Sequence, residues 1–466
     1  MQQAELNFFN KQTIDTYEQS IVNVRAKQNM MQESCFSGFT ERLTGKERPN
    51  SAVRHGELMR EKITSYDITS KIDIQESKLI SFDRVTSTDH SFRIYRDGFA
   101  GIYYTNGVIS EEDGYARAEK NLELKRPYGF SPETGKCHRD KTEREMSDSE
   151  LMEVAKKVIE YLNAKYPEFI YSGEVSKSDT RECMENENGL DYSNRDSCTS
   201  VDISYKHKDS KNINDGVFRI SLRNFEFEKF VEMADNYLGN YNTMLELPEQ
   251  LIIQMQYYGL IGKIKESLNG EDISLGTSLF TGKIGQKLFS ESFSLTHDVS
   301  DKETWFSPFF DGEGVVMKDN RLPYIEKGVI LRGYSDKKTA EKYGIEHTGS
   351  AWRNYSDIPS NGNVNLIIER STKTIRELLD GRLSVVPVVY SGGGFNEKGD
   401  YVMPVLSSFL CDGEKLLGRL PEFTITTNMY DMFGDGFIGV GSDQPVFNDK
   451  SLLFKAHYSP SDQNHS

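Results

Sequence analysis

Apolar residues recur at helical spacing in parts of the first half of the chain and form short β-type runs elsewhere. Ser147 and Glu150 form a capping-box pattern ahead of apolar residues that share one helical face over 151–162, which predicts a helix. The same criteria predict further helices at about 6–24, 111–122, 225–238 and 371–381, and a buried helix over the apolar run 250–265.

Strand signals lie between and after these helices. Aromatic and β-branched runs flank Asp97-Gly98, and this dipeptide predicts a type I′ hairpin. Residues 124–146 and 174–198 are rich in charged and polar side chains and are interpreted as loops. From about 275 onward, short strand-like runs alternate with glycine-marked turns, so we expect this part to be mostly β.

The elements predict an α+β protein with an N-terminal α/β-type mixed domain followed by a β-rich C-terminal domain. We place a polar, partly helical N-terminal extension at 1–70, the N-terminal α+β domain at 71–240 and the C-terminal β-rich domain at 241–466. A chain of 466 residues is longer than one compact core usually organises, which agrees with two domains.

Composition narrows the class of protein. The apolar fraction is only 36%, but 24 Tyr and 26 Phe supply large side chains for burial, so we expect a folded chain. The net charge of -16 disfavours nucleic acid as a partner. The sequence has five cysteines and no apolar run of membrane-spanning length, so we expect a cytoplasmic protein without disulfides that does not enter a membrane.

The sequence contains no familiar catalytic or metal motif. The histidines are widely scattered and there is no C-x-x-C pair, so we predict no zinc site and expect no cofactor. Neither a G-x-S-x-G elbow nor a phosphate-binding G-x-x-x-x-G-K-[ST] loop is present. If zinc were nevertheless bound, His297, His347 and Cys411 would be the first residues to inspect as ligands.

Two short segments remain as candidate sites. Asp311 and Glu313 would share one face of an extended segment, although a solvated turn is the favoured interpretation. Gly392, Gly393 and Gly394 could present backbone N–H groups to an anion, although a tight turn is favoured here as well.

Several segments, taken in order, resemble one family. They are FRIYRDGFAGIYYTNG (92–107), NENGLDYSNRDSCTSVDI (186–203), TSLFTGKIGQKLFSESFSLTHD (277–298), PFFDGEGVVMKDNRLPYIEKGVILRGYSDKKTAEKYG (308–344), HTGSAWRN (347–354) and GGGFNEKGDYVMPVLSSFLCDGEKLLGRLPEFTITTNMYDMF (392–433). Together they are similar to the TldD/PmbA family, and the resemblance implies the PmbA/TldD fold and covers about 70–460.

The resemblance also implies a partner role. TldD-type members carry H-E-x-x-x-H, whose histidines bind zinc and whose glutamate activates water, just before the segment that matches 277–298. The corresponding stretch here, about 250–265, has no histidine, acid or cysteine, which is similar to the metal-free PmbA (TldE) type. The resemblance therefore implies a non-catalytic subunit of a zinc metallopeptidase that acts on unfolded peptide segments, with a TldD-like paralogue or a second copy as partner.

No catalytic residue carries over from the family, and Asp311, Glu313 and Gly392, Gly393 and Gly394 are expected at most to line the cavity or to contact peptide. One alternative is a stand-alone peptide-binding or scaffolding homodimer without peptidase activity. Another is an enzyme that uses different chemistry in the same cavity, which a cluster of polar groups with shifted pKa values would favour.

Overall fold

The computed structural model describes residues 58–300 and 305–460, and its N-terminal part is built on one large sheet. The sheet has eight strands in the order β4-β3-β2-β1-β6-β7-β5, and β8 also pairs with β7. The strands are β1 (Met59–Gln75), β2 (Lys78–Arg96), β3 (Phe99–Asn106), β4 (Arg126–Pro127), β5 (Gly135–Asp140), β6 (Phe169–Asn186), β7 (Leu190–His207) and β8 (Gly216–Leu222).

Two long antiparallel hairpins, β1–β2 and β6–β7, form the centre of this sheet. The loop between β2 and β3 consists of Asp97 and Gly98, whose φ angles of 53° and 78° confirm the predicted type I′ turn. The prediction of a loop over 174–198 is wrong, because all of these residues except the turn 187–189 belong to β6 and β7. Their polar side chains are partly covered on both faces of the sheet, which removes the apolar alternation that marks a half-buried strand.

Helices cover this sheet at the predicted places. The predicted capping box is confirmed, since Ser147 accepts from the backbone of Glu150 and Glu150 bonds back to Ser147. The helix that follows buries Leu151, Val158 and Leu162 completely. The helices of this part are Glu111–Lys120, Asp148–Lys165 and Phe227–Leu238, with a short 3₁₀ turn at Asn121–Leu124.

The interpretation of 124–146 as a loop is wrong in part, because β4 and β5 lie within it. Strand β5 runs parallel to β7, and of its six residues only Arg139 is buried. A short polar strand of this kind shows no hydrophobic periodicity in the sequence. It forms because its backbone pairs with β7.

The C-terminal part is β-rich, as predicted. Its main sheet follows the path β16-β9-β22-β20-β18-β17, and a further β16–β18 pairing closes five of these strands into a ring. A second sheet has the order β12-β11-β10-β15, and β13 pairs with β14. The strands are β9 (Leu251–Gln256), β10 (Leu295–Asp298), β11 (Arg321–Glu326), β12 (Val329–Ile330), β13 (Ala351–Trp352), β14 (Ser360–Asn361), β15 (Leu366–Ile368), β16 (Ser384–Tyr390), β17 (Gly394–Phe395), β18 (Asp400–Cys411), β19 (Leu416–Arg419), β20 (Phe423–Asn428), β21 (Phe437–Val440) and β22 (Ser451–Pro460).

The prediction of one buried helix over 250–265 is wrong. The stretch begins with β9 in the ring, turns at Tyr257 and ends in a short helix. A short apolar run fits a buried strand as well as a buried helix. Here the pairing of β9 with β22 and β16 stabilises the strand. The helices of this part are Gly262–Ser267, Gly270–Leu275, Lys337–Tyr343, Ile375–Leu379 and Met429–Phe433, with a 3₁₀ turn at Lys318–Asn320.

The two parts share a hydrophobic core. One cluster joins Leu151 and Phe230 of the N-terminal helices to Phe409 and Cys411 of β18. Strand β1 begins at Met59, so the sheet extends into the residues assigned above to the polar extension, and the three boundaries stay a prediction. The helix predicted at about 6–24 lies outside the described residues. Within the described residues, no helix has the length and apolar character needed to cross a membrane.

Candidate functional site

The segment 305–317 docks onto the N-terminal sheet and carries the two predicted acidic residues. The rings of Phe309 and Phe310 lie 5.2 Å and 5.4 Å from the ring of Tyr192 in β7. Arg353 donates a hydrogen bond to the carbonyl oxygen of Phe310 at 2.9 Å. The residues that follow Phe310 are therefore held at the joint between the two parts of the chain.

Asp311 organises the turn with its side chain. One carboxylate oxygen accepts from the backbone N–H of Glu313 at 2.8 Å and of Val315 at 2.9 Å, and the other accepts from Ala351 at 2.9 Å. Gly312 lies so close to the backbone of Trp352 that a Cβ atom there would stand 2.6 Å from the Trp352 carbonyl oxygen. The D-G-E-G sequence thus folds this way because an acceptor and a residue without a side chain are both needed.

Glu313 reaches across the joint. Its Oε1 accepts from the hydroxyl of Tyr128 at 3.0 Å, and its Oε2 accepts from the backbone N–H of Lys337 at 3.1 Å. Asp311 and Glu313 are each only 3% exposed, so the interpretation of this segment as a solvated turn is wrong. The missing information was the packing of this turn against the other half of the chain.

His347 completes the cluster. Its loop is fixed by Thr348, whose hydroxyl accepts from the backbone of Ser335 at 2.7 Å. The potential ligand atoms of Asp311, Glu313 and His347 all lie within 4.8 Å of one another, and His347 Nε2 is 3.7 Å from Glu313 Oε2. From sequence, His347 was only a residue to inspect, because no spacing rule connects it to the D-G-E-G turn.

Burial and mutual charge shift the pKa values of this cluster. Burial, reinforced by the neighbouring Glu313, raises the pKa of Asp311 to about 6 in spite of the backbone N–H groups that it accepts. Burial opposes the charged form of His347, but the nearby Glu313 and Asp311 carboxylates outweigh it and raise the pKa of this imidazole. The two carboxylates and the imidazole therefore affect one another's pKa values.

A buried ion pair in the N-terminal sheet contacts the turn. The Arg93 guanidinium is fully buried, lies 3.3 Å from Glu61 Oε1, and donates to the carbonyl oxygens of Gly312 at 2.9 Å and Asn354 at 3.1 Å. The Tyr95 hydroxyl also donates to Glu61 at 2.8 Å. No motif in the sequence marks these residues, which lie within the strands β1 and β2.

The space beside the cluster is small. Asp311 and the buried His297 line a cavity of about 10 Å³, which is room for one water at most. Burial lowers the pKa of His297 to about 4, so its imidazole is neutral near pH 7. Cys411 lies in the shared core with Phe409 and does not join the cluster. An open groove of about 830 Å³ lies elsewhere, between helix Glu111–Lys120 and the β6–β7 turn.

The glycine triplet forms an exposed turn in the C-terminal sheet. Gly392 and Gly393 have φ angles of 68° and 97°, and Gly394 begins β17. A Cβ atom on Gly393 would lie 2.9 Å from Met403 Cγ, so the turn needs glycine for space as well as for conformation. Across the described ranges, no hydrogen bond or ion pair links this turn to Asp311 or Glu313, and its contact with peptide stays a prediction.

Known proteins resemble this chain in sequence and in fold. Residues 252–461 match the sequence model of the PmbA/TldA metallopeptidase C-terminal domain. An uncharacterized protein of Methanocaldococcus jannaschii is 24% identical over 387 residues, which cover 80% of this chain and 88% of that protein. A metalloprotease TldD homolog of Buchnera aphidicola is 27% identical over 165 residues, or 35% of this chain and 34% of the other.

The solved structure of TldE from Thermococcus kodakarensis superposes with a TM-score of 0.68 at 18% identity, covering 87% of this chain and 96% of that one. The fold is therefore that of the TldE structure, with a sheet domain followed by a β-rich domain. The domain match over 252–461 and the TldD relative identify the chain as a member of the TldD/PmbA family, which is related to TldD/TldE-type metallopeptidases.

Proposed function

We propose that this chain is a TldE-like, non-catalytic subunit that works in the cytoplasm with a zinc-binding TldD-like partner on unfolded peptide segments. The observation that carries the proposal is the composition of the stretch 250–265, where the family resemblance places H-E-x-x-x-H. In this chain the stretch holds only apolar residues, Gln, Tyr, Gly and Lys.

The local structure does not fit the catalytic zinc of the family. The first part of the stretch is β9, which is paired on both sides within the ring. Helix Gly262–Ser267 carries a single carboxylate, Glu266, and its Oε1 lies 2.7 Å from Lys263 Nζ in an ion pair. One paired carboxylate does not make a zinc site, since catalytic zinc takes three protein ligands.

The Asp311 cluster does not support a different peptidase chemistry in its place. Its shifted pKa values are of the kind found at active sites. However, the adjacent cavity holds at most one water, and the Asp311 carboxylate is occupied by backbone N–H groups. A peptide bond has no room to approach it in this conformation, so the cluster favours a structural role over catalysis.

The outer edge of β2 supports the presence of a protein partner. Residues 78–88 pair with β1 on one side, whereas β3 pairs with β2 only from Asp89 onward. Three apolar side chains on this edge are exposed: Ile80 by 57%, Phe82 by 42% and Val85 by 62%. Among the described residues no strand pairs with this side of 78–88, and a long edge strand left open in this way is a template for pairing with another chain.

The first experiment compares peptide cleavage by three samples: this chain alone, a TldD-like H-E-x-x-x-H paralogue alone, and the two co-expressed. We expect cleavage of an unfolded peptide to require the paralogue and to increase in the stable complex. A complex whose paralogue carries Gln in place of the motif glutamate is the matched control and should be inactive. Cleavage by this chain alone, or no complex with the paralogue, contradicts the proposal.

A second experiment tests the edge. Val85→Lys places a charge on the edge of β2 and should weaken co-purification with the paralogue, because a lysine on an edge strand disfavours pairing with another strand. Ile213→Lys is the control, since Ile213 is 84% exposed and lies outside the strands. If the chain forms only dimers with itself and Val85→Lys breaks these, the stand-alone homodimer replaces the proposed heteromeric subunit.

A further inference from the structure

We propose that Asp311, Glu313 and His347 form a binding site for one divalent cation of the zinc class at the joint between the two parts of the chain. The donor set comprises two carboxylates and one imidazole, with potential ligand atoms within 4.8 Å of one another. This site is separate from the proposed function, because its residues lie outside the stretch 250–265 and the subunit role does not depend on them.

The geometry is close to that of a bound ion. Zinc binds nitrogen and oxygen ligands at about 2.0–2.2 Å in tetrahedral geometry, so two ligand atoms of one ion are roughly 3.4 Å apart. The donors of this cluster therefore need to close by up to about 1.4 Å, a movement within reach of side-chain rotation. The turn and the His347 loop are already fixed by the hydrogen bonds of Asp311 and Thr348.

One ligand atom lacks a hydrogen bond. His347 Nε2 is buried and makes none, and its closest carboxylate oxygen, Glu313 Oε2, is 3.7 Å away. A buried polar nitrogen usually has a partner, because leaving it unsatisfied costs free energy. A cation between the three side chains satisfies Nε2 and leaves the existing contacts of Glu313 with Tyr128 and Lys337 in place.

The charge balance points the same way. Asp311 and Glu313 are each only 3% exposed, and the next cation, Lys337, directs its Nζ to Glu133 at 2.8 Å. Buried carboxylates are stable when they are paired or coordinate a metal. A divalent ion would neutralise both acids, whereas a protonated His347 would neutralise only one.

The ligand chemistry selects the class of ion. Magnesium and calcium prefer oxygen donors throughout, while an imidazole favours zinc and its first-row neighbours. The side chain of His347 is 30% exposed, so water can complete the coordination from that side. The expected occupant is therefore a zinc-class ion with protein ligands on one side and water on the other.

The experiment is a titration of the full-length, metal-stripped chain with Co²⁺, followed by visible absorption. We expect d–d bands that saturate at one equivalent of Co²⁺. Zn²⁺ should displace the Co²⁺ and abolish the bands, whereas Mg²⁺ at the same concentration should not. Loss of a residue that merely orients a ligand weakens metal affinity by about 10- to 100-fold, so loss of the ligand itself in His347→Ala should cost more than about 100-fold. His138→Ala is the control, because its side chain is 57% exposed and lies on β5.

Circular dichroism checks that each variant is folded, and His347→Gln replaces the alanine variant if that one is not. Absence of saturable bands, displacement by Mg²⁺, or undiminished binding by His347→Ala overturns the proposed site. Peptide cleavage is not used as a readout, so this result is separate from the outcome for the proposed subunit role.

Discussion

The hydroxyl of Tyr128 donates a hydrogen bond to Glu313 across 3.0 Å, and this contact joins residues 185 positions apart in the chain. Tyr128 belongs to the N-terminal part and Glu313 to the turn that docks on it. Both side chains are buried, so water cannot replace the bond if it is lost. Together with the Arg93 contact to Gly312, it fixes the turn between the two parts.

Tyr128→Phe should therefore destabilise the fold. It removes a hydrogen bond to a charged, buried acceptor, and such bonds contribute about 1.5–3 kcal/mol. We expect the free energy of unfolding, measured by urea titration, to fall by about 2 kcal/mol. Tyr192→Phe is the control, since the Tyr192 hydroxyl makes only a 3.4 Å contact with Thr134, and its loss should change the stability by less than half as much. Equal effects would contradict the joining role of Tyr128.

Arg93→Met should have a larger effect. The arginine is fully buried, and its removal leaves Glu61 without a positive partner and two carbonyl oxygens without this donor. Breaking a buried ion pair costs about 3–5 kcal/mol, which we expect in the free energy of unfolding. Arg96→Met is the matched control, because Arg96 pairs with Glu119 at the surface and such pairs contribute about 1 kcal/mol or less. A small effect at Arg93 would mean that the pair is not needed at the joint.

Local signals in the sequence account for the elements that were predicted correctly. The capping box at Ser147 and the two-residue turn at Asp97-Gly98 each depend on residues that are close in sequence. The strands β6 and β7 were missed because they bury polar residues such as Ser176 and Asn194. Whether such a residue can be buried depends on partners in other strands, which no local pattern contains.

The candidate site was predictable only in part, for a similar reason. The spacing of Asp311 and Glu313 marked them as a pair, but their burial depends on docking against the N-terminal sheet. Arg93 contacts the carbonyl of Gly312 across 219 positions of sequence, and His347 approaches Glu313 from a separate loop. A single sequence does not show which distant residues contact one another, so the cluster can be recognised only in the folded chain.

Gly312→Ala tests how closely the turn is packed. A Cβ atom at this position would lie 2.6 Å from the Trp352 carbonyl oxygen and 2.9 Å from the Arg353 nitrogen, both backbone atoms that cannot rotate away. Overpacking of this kind costs about 1–3 kcal/mol, and we expect that loss in the free energy of unfolding. Gly129→Ala is the control, since nothing lies within 4 Å of a Cβ atom there. A neutral Gly312→Ala would show that the turn can shift away from β13.

His297 should make the stability of the fold depend on pH. Its Nδ1 accepts from the backbone N–H of Asn365 at 2.9 Å, and burial lowers its pKa to about 4, against an ordinary value of 6.5. The unfolded chain takes up a proton as the pH falls through about 6.5, whereas the folded chain does so only near 4. The contribution of His297 to stability is therefore fully present above its ordinary pKa. It is lost as the pH falls from that value to the folded pKa, by roughly 3 kcal/mol in total.

The variant His297→Asn isolates this contribution, because its amide oxygen can still accept from Asn365 but cannot be protonated. Between pH 6.5 and 4, we expect its free energy of unfolding to change less steeply with pH than that of the original chain. The difference in slope corresponds to at most one proton taken up on unfolding. His138→Asn should leave the slope unchanged, since His138 is exposed at the surface. The same slope in His297→Asn as in the original chain would show that other buried groups, such as Asp311 and His347, produce the acid sensitivity.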